Sequence, residues 1–317
     1  VSDSTGILAL VTTELLSPLD TEVQIEVQTC SVNFADTLIV KGKYQEKPEL
    51  PFAPGMEIVG TVKEIGANVT TLKMGQKIVA YIGYGGMSRF LNVDADFCIP
   101  LPDDADPITY AALPIAYGTS HLALFHRAKI KPSDTLVVLG ASGGVGLTAV
   151  ELGVLAGAKV IACARGEEKL AVAKSKGAHH LIDTQKSDLR DELKALGGAD
   201  IVYDPVGGDL FKSALRACNP EARVLPLGFA SGEIPQIPAN ILLVKNIDVL
   251  GFYWGGYRKF APDVMNESLR QIMEWAKDGK IKPHVSNVLP LNQANEALSL
   301  LSNRQATGKV VVDMSLG

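Results

Sequence analysis

Three glycines, Gly140, Gly143 and Gly146, stand three residues apart in the run TLVVLGASGGVG, residues 135–146. That spacing suits the binding of an anion by main chain. A glycine at the first position permits a tight turn, one at the second lets the backbone approach a pyrophosphate, and one at the third lets a helix pack close on a strand. The apolar or β-branched run Thr135 to Leu139 before the turn reads as a buried parallel strand. Leu147 to Ala156 after it reads as a helix whose first N–H groups face the phosphates. Strand, turn and helix together point to a dinucleotide, with Gly140, Ser142, Gly143, Gly144, Val145 and Gly146 as its contacts.

In such a unit the end of the second strand chooses the cofactor. An Asp or Glu there accepts hydrogen bonds from the ribose hydroxyls and repels a 2′-phosphate. The corresponding stretch is KVIACARGEEK, with Ala164 and Arg165 at 18 and 19 residues beyond Gly146 and no carboxylate at the strand end. Arg165 is placed to pair with a 2′-phosphate, and Lys169, one helical turn on, adds a second charge. NADPH is therefore expected over NADH. The competing reading makes Arg165 and Lys169 a solvated helix start, with Glu167 and Glu168 merely favouring the helix dipole.

These residues need a scaffold, and 317 residues leave room for about two domains with their own cores. Hydrophobic residues make up 47% and charged ones 21%, a globular balance that argues against long disorder. A net charge of −5 supplies no basic field for nucleic acid or anionic lipid, so any anion must be bound locally. No apolar run approaches the roughly 18–20 residues that span a bilayer. Cys30, Cys98, Cys163 and Cys218 are widely separated, which disfavours a disulfide framework and points to a reducing, cytoplasmic setting. The chain begins at Val1, so a removed leader or first strand, and with it organellar targeting, stays open.

Along the chain, EVQIEVQTC, IVGTVKEIG, QKIVAYI and SRFLNV are short strands split by turn residues, which predicts an all-β module over residues 1–112. TYAALPIAYGTSHLALFHRA is helical in pattern. From 135 onward strands alternate with helical stretches, the signature of right-handed crossovers and a doubly wound parallel sheet. A sixth strand is expected within 246–252, closing a Rossmann domain over 113–252. The remainder, 253–317, holds a long helix from Pro262 to Lys277, the segment SNVLPL, a short helix and a terminal strand KVVVD. It is expected to return to the N-terminal module.

A β module, a Rossmann unit and a returning tail in this order resemble the zinc-independent NADPH:quinone oxidoreductases of the medium-chain dehydrogenase/reductase superfamily, in particular the quinone oxidoreductase-like protein 2 type. The likeness is carried by SVNFADTLIVKGKYQ (31–45), LPFAPGMEIVG (50–60), LPIAYGTSHLAL (113–124), GASGGVG, YDPVGGD (203–209), GFASGEIPQIPAN (228–240), KIKPHVS and ATGKVVV. It implies an α/β protein with a GroES-like catalytic domain beside the Rossmann domain. Zinc members of the superfamily place cysteine and histidine in the first segment and histidine followed by glutamate in the second. Here the matching places hold Asn33, Leu38 and Met56, and only Glu57 survives. Since zinc takes nitrogen and sulfur donors, no metal is expected.

The resemblance also implies site residues. Asn33 and Asp36 fall where the family lines the nicotinamide end, and Tyr44 where a tyrosine borders the substrate. Thr119 falls where a hydroxyl meets the carboxamide. Val206 and Gly207, then Gly228, Phe229 and Ser231, match loops that skirt ring and ribose; Lys309 is a further contact, and Phe252, Tyr253 and Trp254 offer an aromatic wall. Structural alternatives stand beside these. Asn33 and Asp36 could cap a helix over 35–40, Tyr44 could only pack, and FYWGGY could be a strand end or a subunit contact. The five histidines lack ligand spacing, and no tyrosine begins a Tyr-x-x-x-Lys relay. Two departures from the family are Gly140, where many relatives carry alanine, and Thr184, where several carry tyrosine.

A quinone is already electrophilic and accepts hydride without a Lewis acid, so the protein need only hold two flat rings together. Two other readings remain open. In a 2-enoyl thioester reductase Tyr44 would protonate the α-carbon; a non-catalytic NADPH-binding protein would do neither. The family also implies a homodimer joined near the sixth strand.

Overall fold

The computed structural model describes residue 1 and residues 6–316. The chain divides into two compact units, Val1–Ile115 with Lys282–Gly317, and Ala116–Ile281.

The first unit opens with β1 (Glu22–Val32), the strand on which its sheet is organised. One edge of β1 pairs along its length with β2 (Glu57–Ile65), which pairs in turn with β3 (Lys77–Tyr81), all antiparallel. The early half of its other edge pairs with β4 (Phe90–Asp94), and β5 (Cys98–Pro100) pairs with β3. Val23, Ile25, Ile58, Val59, Ile78 and Val79 form the buried interior between these strands. The helix Phe34–Ile39 leaves the end of β1 with Asn33 as its N-cap residue.

The second unit is a six-stranded parallel sheet: β6 (Thr135–Leu139), β7 (Lys159–Ala164), β8 (His180–Asp183), β9 (Ala199–Asp204), β10 (Cys218–Pro226) and β11 (Asp248–Val249). The spatial order β11-β10-β9-β6-β7-β8 reverses direction between β6 and β9. That is the switch point at whose carboxyl ends doubly wound sheets bind ligands. The strands are apolar runs because helices cover both faces; Val137, Leu139, Ile161, Val202, Phe211 and Val224 lie fully buried among them.

Three details depart from the sequence reading. The helix after the glycine turn starts at Gly144 rather than Leu147, because Gly143 itself is the N-cap. The sixth strand has only two residues: β11 registers with Arg223 and Val224 and goes no further. The second division of the chain comes after Ile281 and not after 252. The reason lies in the helix Pro262–Lys277, which belongs to the second unit: its Ser268 hydroxyl is 2.8 Å from His121 Nδ1, and Trp275 packs on His121 and Phe125 with ring centroids 5.3 and 5.8 Å apart.

From Lys282 the chain rejoins the first unit. β12 (Val285–Pro290) runs parallel to β13 (Lys309–Asp313), and β13 pairs antiparallel with the late half of β1, Val310 opposite Val32. The short helix Ala294–Ser302 connects the two strands.

Candidate functional site

In the second unit, β6 ends at a turn that only glycine accommodates, with Gly140 at φ +62°. The Gly143 N–H closes it onto the Gly140 carbonyl at 3.0 Å. A Cβ on Gly146 would lie 2.2 Å from that carbonyl oxygen, and one on Gly140 would lie 2.8 Å from Val206 Cγ2. A Cβ on Gly143 would meet nothing closer than 3.5 Å. Gly140 and Gly146 are thus fixed by the protein itself, whereas the space beside Gly143 is left open. Ser142 is buried; Gly144 and Val145 are half-buried at the start of the helix Gly144–Leu155.

Beyond Ala164, at the end of β7, Arg165 is exposed and Lys169 half-buried. Sequence reasoning missed the carboxylate beside them, Asp183 at the end of β8. Its Oδ1 accepts the N–H groups of Gly166 at 3.1 Å and Gln185 at 3.0 Å, and the first of these holds the carboxyl below the usual range. Lys186 lies 2.9 Å from Glu167 and 3.7 Å from Asp183, so one cation sits between these two acids.

At the end of β9, Asp204 is fully buried; its Oδ1 accepts the N–H groups of Val206 at 2.7 Å and Gly207 at 2.9 Å. Burial pushes its carboxyl up to about 6. The Ala230 N–H donates to the Pro205 carbonyl at 3.1 Å and that of Ser231 to the Val206 carbonyl at 2.9 Å. The structure therefore brings Val206 and Gly207 together with Gly228, Phe229 and Ser231. Phe229 is 41% exposed, so its ring is not part of the core. Thr119 is half-buried on the helix Pro114–His121, whose next residue, Ser120, contacts Tyr203 at 2.8 Å and Thr148 at 2.7 Å through their hydroxyls. Of the aromatic run, Trp254 is buried over Gly118, where a Cβ would meet its ring at 2.7 Å; Tyr253 is 40% exposed, and Phe252 packs on Tyr257.

The first unit holds a second cluster. Asp36 is 0% exposed, and its two oxygens accept the N–H of Asn33 at 2.8 Å and of Gly55 at 3.0 Å. It caps its own helix and pins the irregular segment that leads into β2; burial pushes its carboxyl up to about 7. The Asn33 side chain turns elsewhere: Nδ2 donates to Glu57 Oε1 at 2.9 Å, and Oδ1 accepts from Lys309 Nζ at 2.6 Å. Lys309 also lies 2.8 Å from Glu57, whose other oxygen accepts the Ile115 N–H at 2.7 Å. Tyr44 is half-buried in the bend after the helix Phe34–Ile39. Lys309, which the resemblance groups with the cofactor contacts, has its ammonium against Asn33 and Glu57.

This cluster does not fit zinc. Asn33 offers an amide already bonded at both ends, Met56 is a buried thioether, and burial raises the Cys30 thiol well above its usual range.

Two family models match the chain, one described as alcohol dehydrogenase GroES-like domain over residues 19–103 and one as zinc-binding dehydrogenase over 144–274. The quinone oxidoreductase-like protein 2 homolog of Nematostella vectensis is 42% identical over 298 residues, spanning 92% of this chain and 81% of that one. Quinone oxidoreductase-like protein 2 of Bos taurus is 38% identical over 297 residues, with 92% and 85% covered. The chain belongs to the zinc-independent quinone oxidoreductase family of the medium-chain dehydrogenases/reductases. Among solved structures, Escherichia coli quinone oxidoreductase complexed with NADPH superposes with a TM-score of 0.88 at 28% identity, over 96% of this chain and 94% of that one. The quinone oxidoreductase of Thermus thermophilus gives 0.85 at 30% identity, over 98% and 97%. The α/β architecture, a Rossmann sheet with a GroES-like partner, is thereby shown, and no helix among the described residues is long and apolar enough to cross a membrane.

Proposed function

We propose that this chain is an NADPH-dependent oxidoreductase that passes hydride to a quinone-type small molecule. The observation that carries the cofactor is the end of β7, which has no carboxylate at the strand end and is followed by an exposed Arg165. When bound, NADPH supplies the hydride. Gly140 to Gly146 would hold its pyrophosphate at the helix start, Arg165 and Lys169 its 2′-phosphate, and Thr119, Val206, Gly207, Gly228, Phe229 and Ser231 its ribose and ring. Asn33, Asp36 and Tyr44 are assigned to the nicotinamide and acceptor end. In this reading Asp36 acts through the Asn33 and Gly55 backbone that it fixes.

The acceptor follows from the donor set: without imidazole or an accessible thiolate around Asn33 and Met56, the site suits a substrate that is electrophilic unaided. Steady-state NADPH oxidation with small ortho- and para-quinones tests it, and no turnover with any of them would overturn it. We further propose a homodimer joined along the edge strand β11, supported by its two-residue length and by Leu243 and Val244 nearby, 78% and 75% exposed. Light scattering on the purified protein decides between monomer and dimer. Four free, buried cysteines fit a reducing, cytoplasmic setting.

A further inference from the structure

Lys309, Asn33 and Glu57 close a triangle of hydrogen bonds in the first unit, with separations of 2.6, 2.8 and 2.9 Å. All three are buried, at 4%, 7% and 0% exposure. We propose that Lys309 is a positioning residue for the reaction: an internal cation that locks the Asn33 carboxamide in one orientation at the nicotinamide end.

An amide has a donor end and an acceptor end of nearly the same shape, so packing alone cannot decide which way it faces. Here two charges decide it. With Oδ1 on the ammonium and Nδ2 on the carboxylate, both contacts are favourable; a half-turn of the amide would set donor against donor and acceptor against acceptor. Asn33 stands at the junction of β1 and the helix Phe34–Ile39, with its main-chain N–H held by Asp36. Backbone and side chain are therefore fixed independently. Stability alone does not explain the arrangement, because well-packed apolar side chains of similar volume often serve a protein interior as well as a buried ion pair does. Single orientation is what the pair adds. Register makes it available: Val310 pairs with Val32 and Glu57 with Ser31, so three residues remote in sequence meet at one end of β1.

The proposal rests on the reading that Asn33 lines the nicotinamide end, and the experiment separates the two. Glu57→Gln/Lys309→Met removes both charges of the pair together. Lys309→Gln keeps a neutral donor toward Asn33. For each, the thermal midpoint, the NADPH Kd from fluorescence titration and the single-turnover rate with a quinone are measured. The expected result is a folded double variant with NADPH affinity within about twofold of the parent and a single-turnover rate at least about tenfold lower, since small misplacements of positioning groups carry effects of that order. Lys309→Gln should fall between the two. A folded double variant that reacts at the parental rate would overturn the proposal. So would failure of both variants to fold, which would assign the pair to stability. If instead Asn33→Ala folds and reacts at the parental rate, the placement of Asn33 is wrong and the inference falls with it.

Discussion

Asp183 accepts the main-chain N–H of Gly166 at 3.1 Å, which ties the end of β8 to the turn that carries Arg165. One oxygen of this carboxylate is thereby committed to the backbone, accepting from both Gly166 and Gln185. Replacing Arg165 and Lys169 together by alanine should raise the KM for NADPH roughly tenfold or more, as expected for loss of hydrogen bonds to a charged group worth about 1.5–3 kcal/mol. The KM for NADH should change little. Paired steady-state assays with the two cofactors check this, and equal losses for both would contradict it.

Gly143 and Gly146 should respond differently to alanine. At Gly146 the new Cβ would press on the Gly140 carbonyl at 2.2 Å, so the variant should lose about 1–3 kcal/mol of stability by urea unfolding. At Gly143 the nearest atom is 3.5 Å away. Gly143→Ala should keep its thermal midpoint and bind NADPH at least about tenfold more weakly by titration calorimetry, because the methyl group occupies the space left to the pyrophosphate.

Asp36 and His121 give opposite pH signatures. Burial raises Asp36 from 3.8 to about 7, so the native state holds a proton that the unfolded chain has released. Its contribution to stability is full below about 4 and is lost as pH rises through about 7. Burial lowers His121 from 6.5 to about 4, so its contribution is present above 6.5 and is lost as pH falls through about 4. In urea unfolding across pH 4–8, Asp36→Asn should steepen the rise of stability with pH, and His121→Gln should flatten it. The slope is the readout, since both variants also lose hydrogen bonds.

Tyr44 separates the two reductase chemistries. If a thioester were the acceptor, Tyr44→Phe should lower kcat with a crotonyl thioester about 10²-fold or more by removing a proton donor. With quinones the same variant should stay within about twofold. Loss of quinone turnover would contradict this.

The Rossmann half was legible because its determinants are local: glycines at fixed spacing, apolar runs bounded by turns, and a missing acid at a countable distance. The same holds for the capping role of Asp36, three residues from Asn33. What stayed hidden was long-range. Lys309 is 252 residues from Glu57, and nothing in ATGKVVV distinguishes a lysine that points inward from a solvated strand start. Its only trace is one charge beside an unbroken apolar strand. Asp183 was missed because it reaches the Gly166 turn across strands, from one strand further along. The helix Pro262–Lys277 has an amphipathic pattern that fits either unit; His121, Phe125 and Ser268 decide it, and their contacts have no sequence period.

The split of the first unit around the second has a consequence for synthesis. A chain emerging from the ribosome delivers β1 to β5 first, yet β13, which pairs with β1, arrives only after the whole Rossmann sheet. Domains generally fold in the order in which they are made. Here the topology interrupts that order: the unit 116–281 is complete in sequence once residue 281 emerges, while the earlier-made half waits with Glu57 lacking its lysine. Until β13 is released, the late half of one edge of β1 lacks its pairing partner and stands open to wrong pairing.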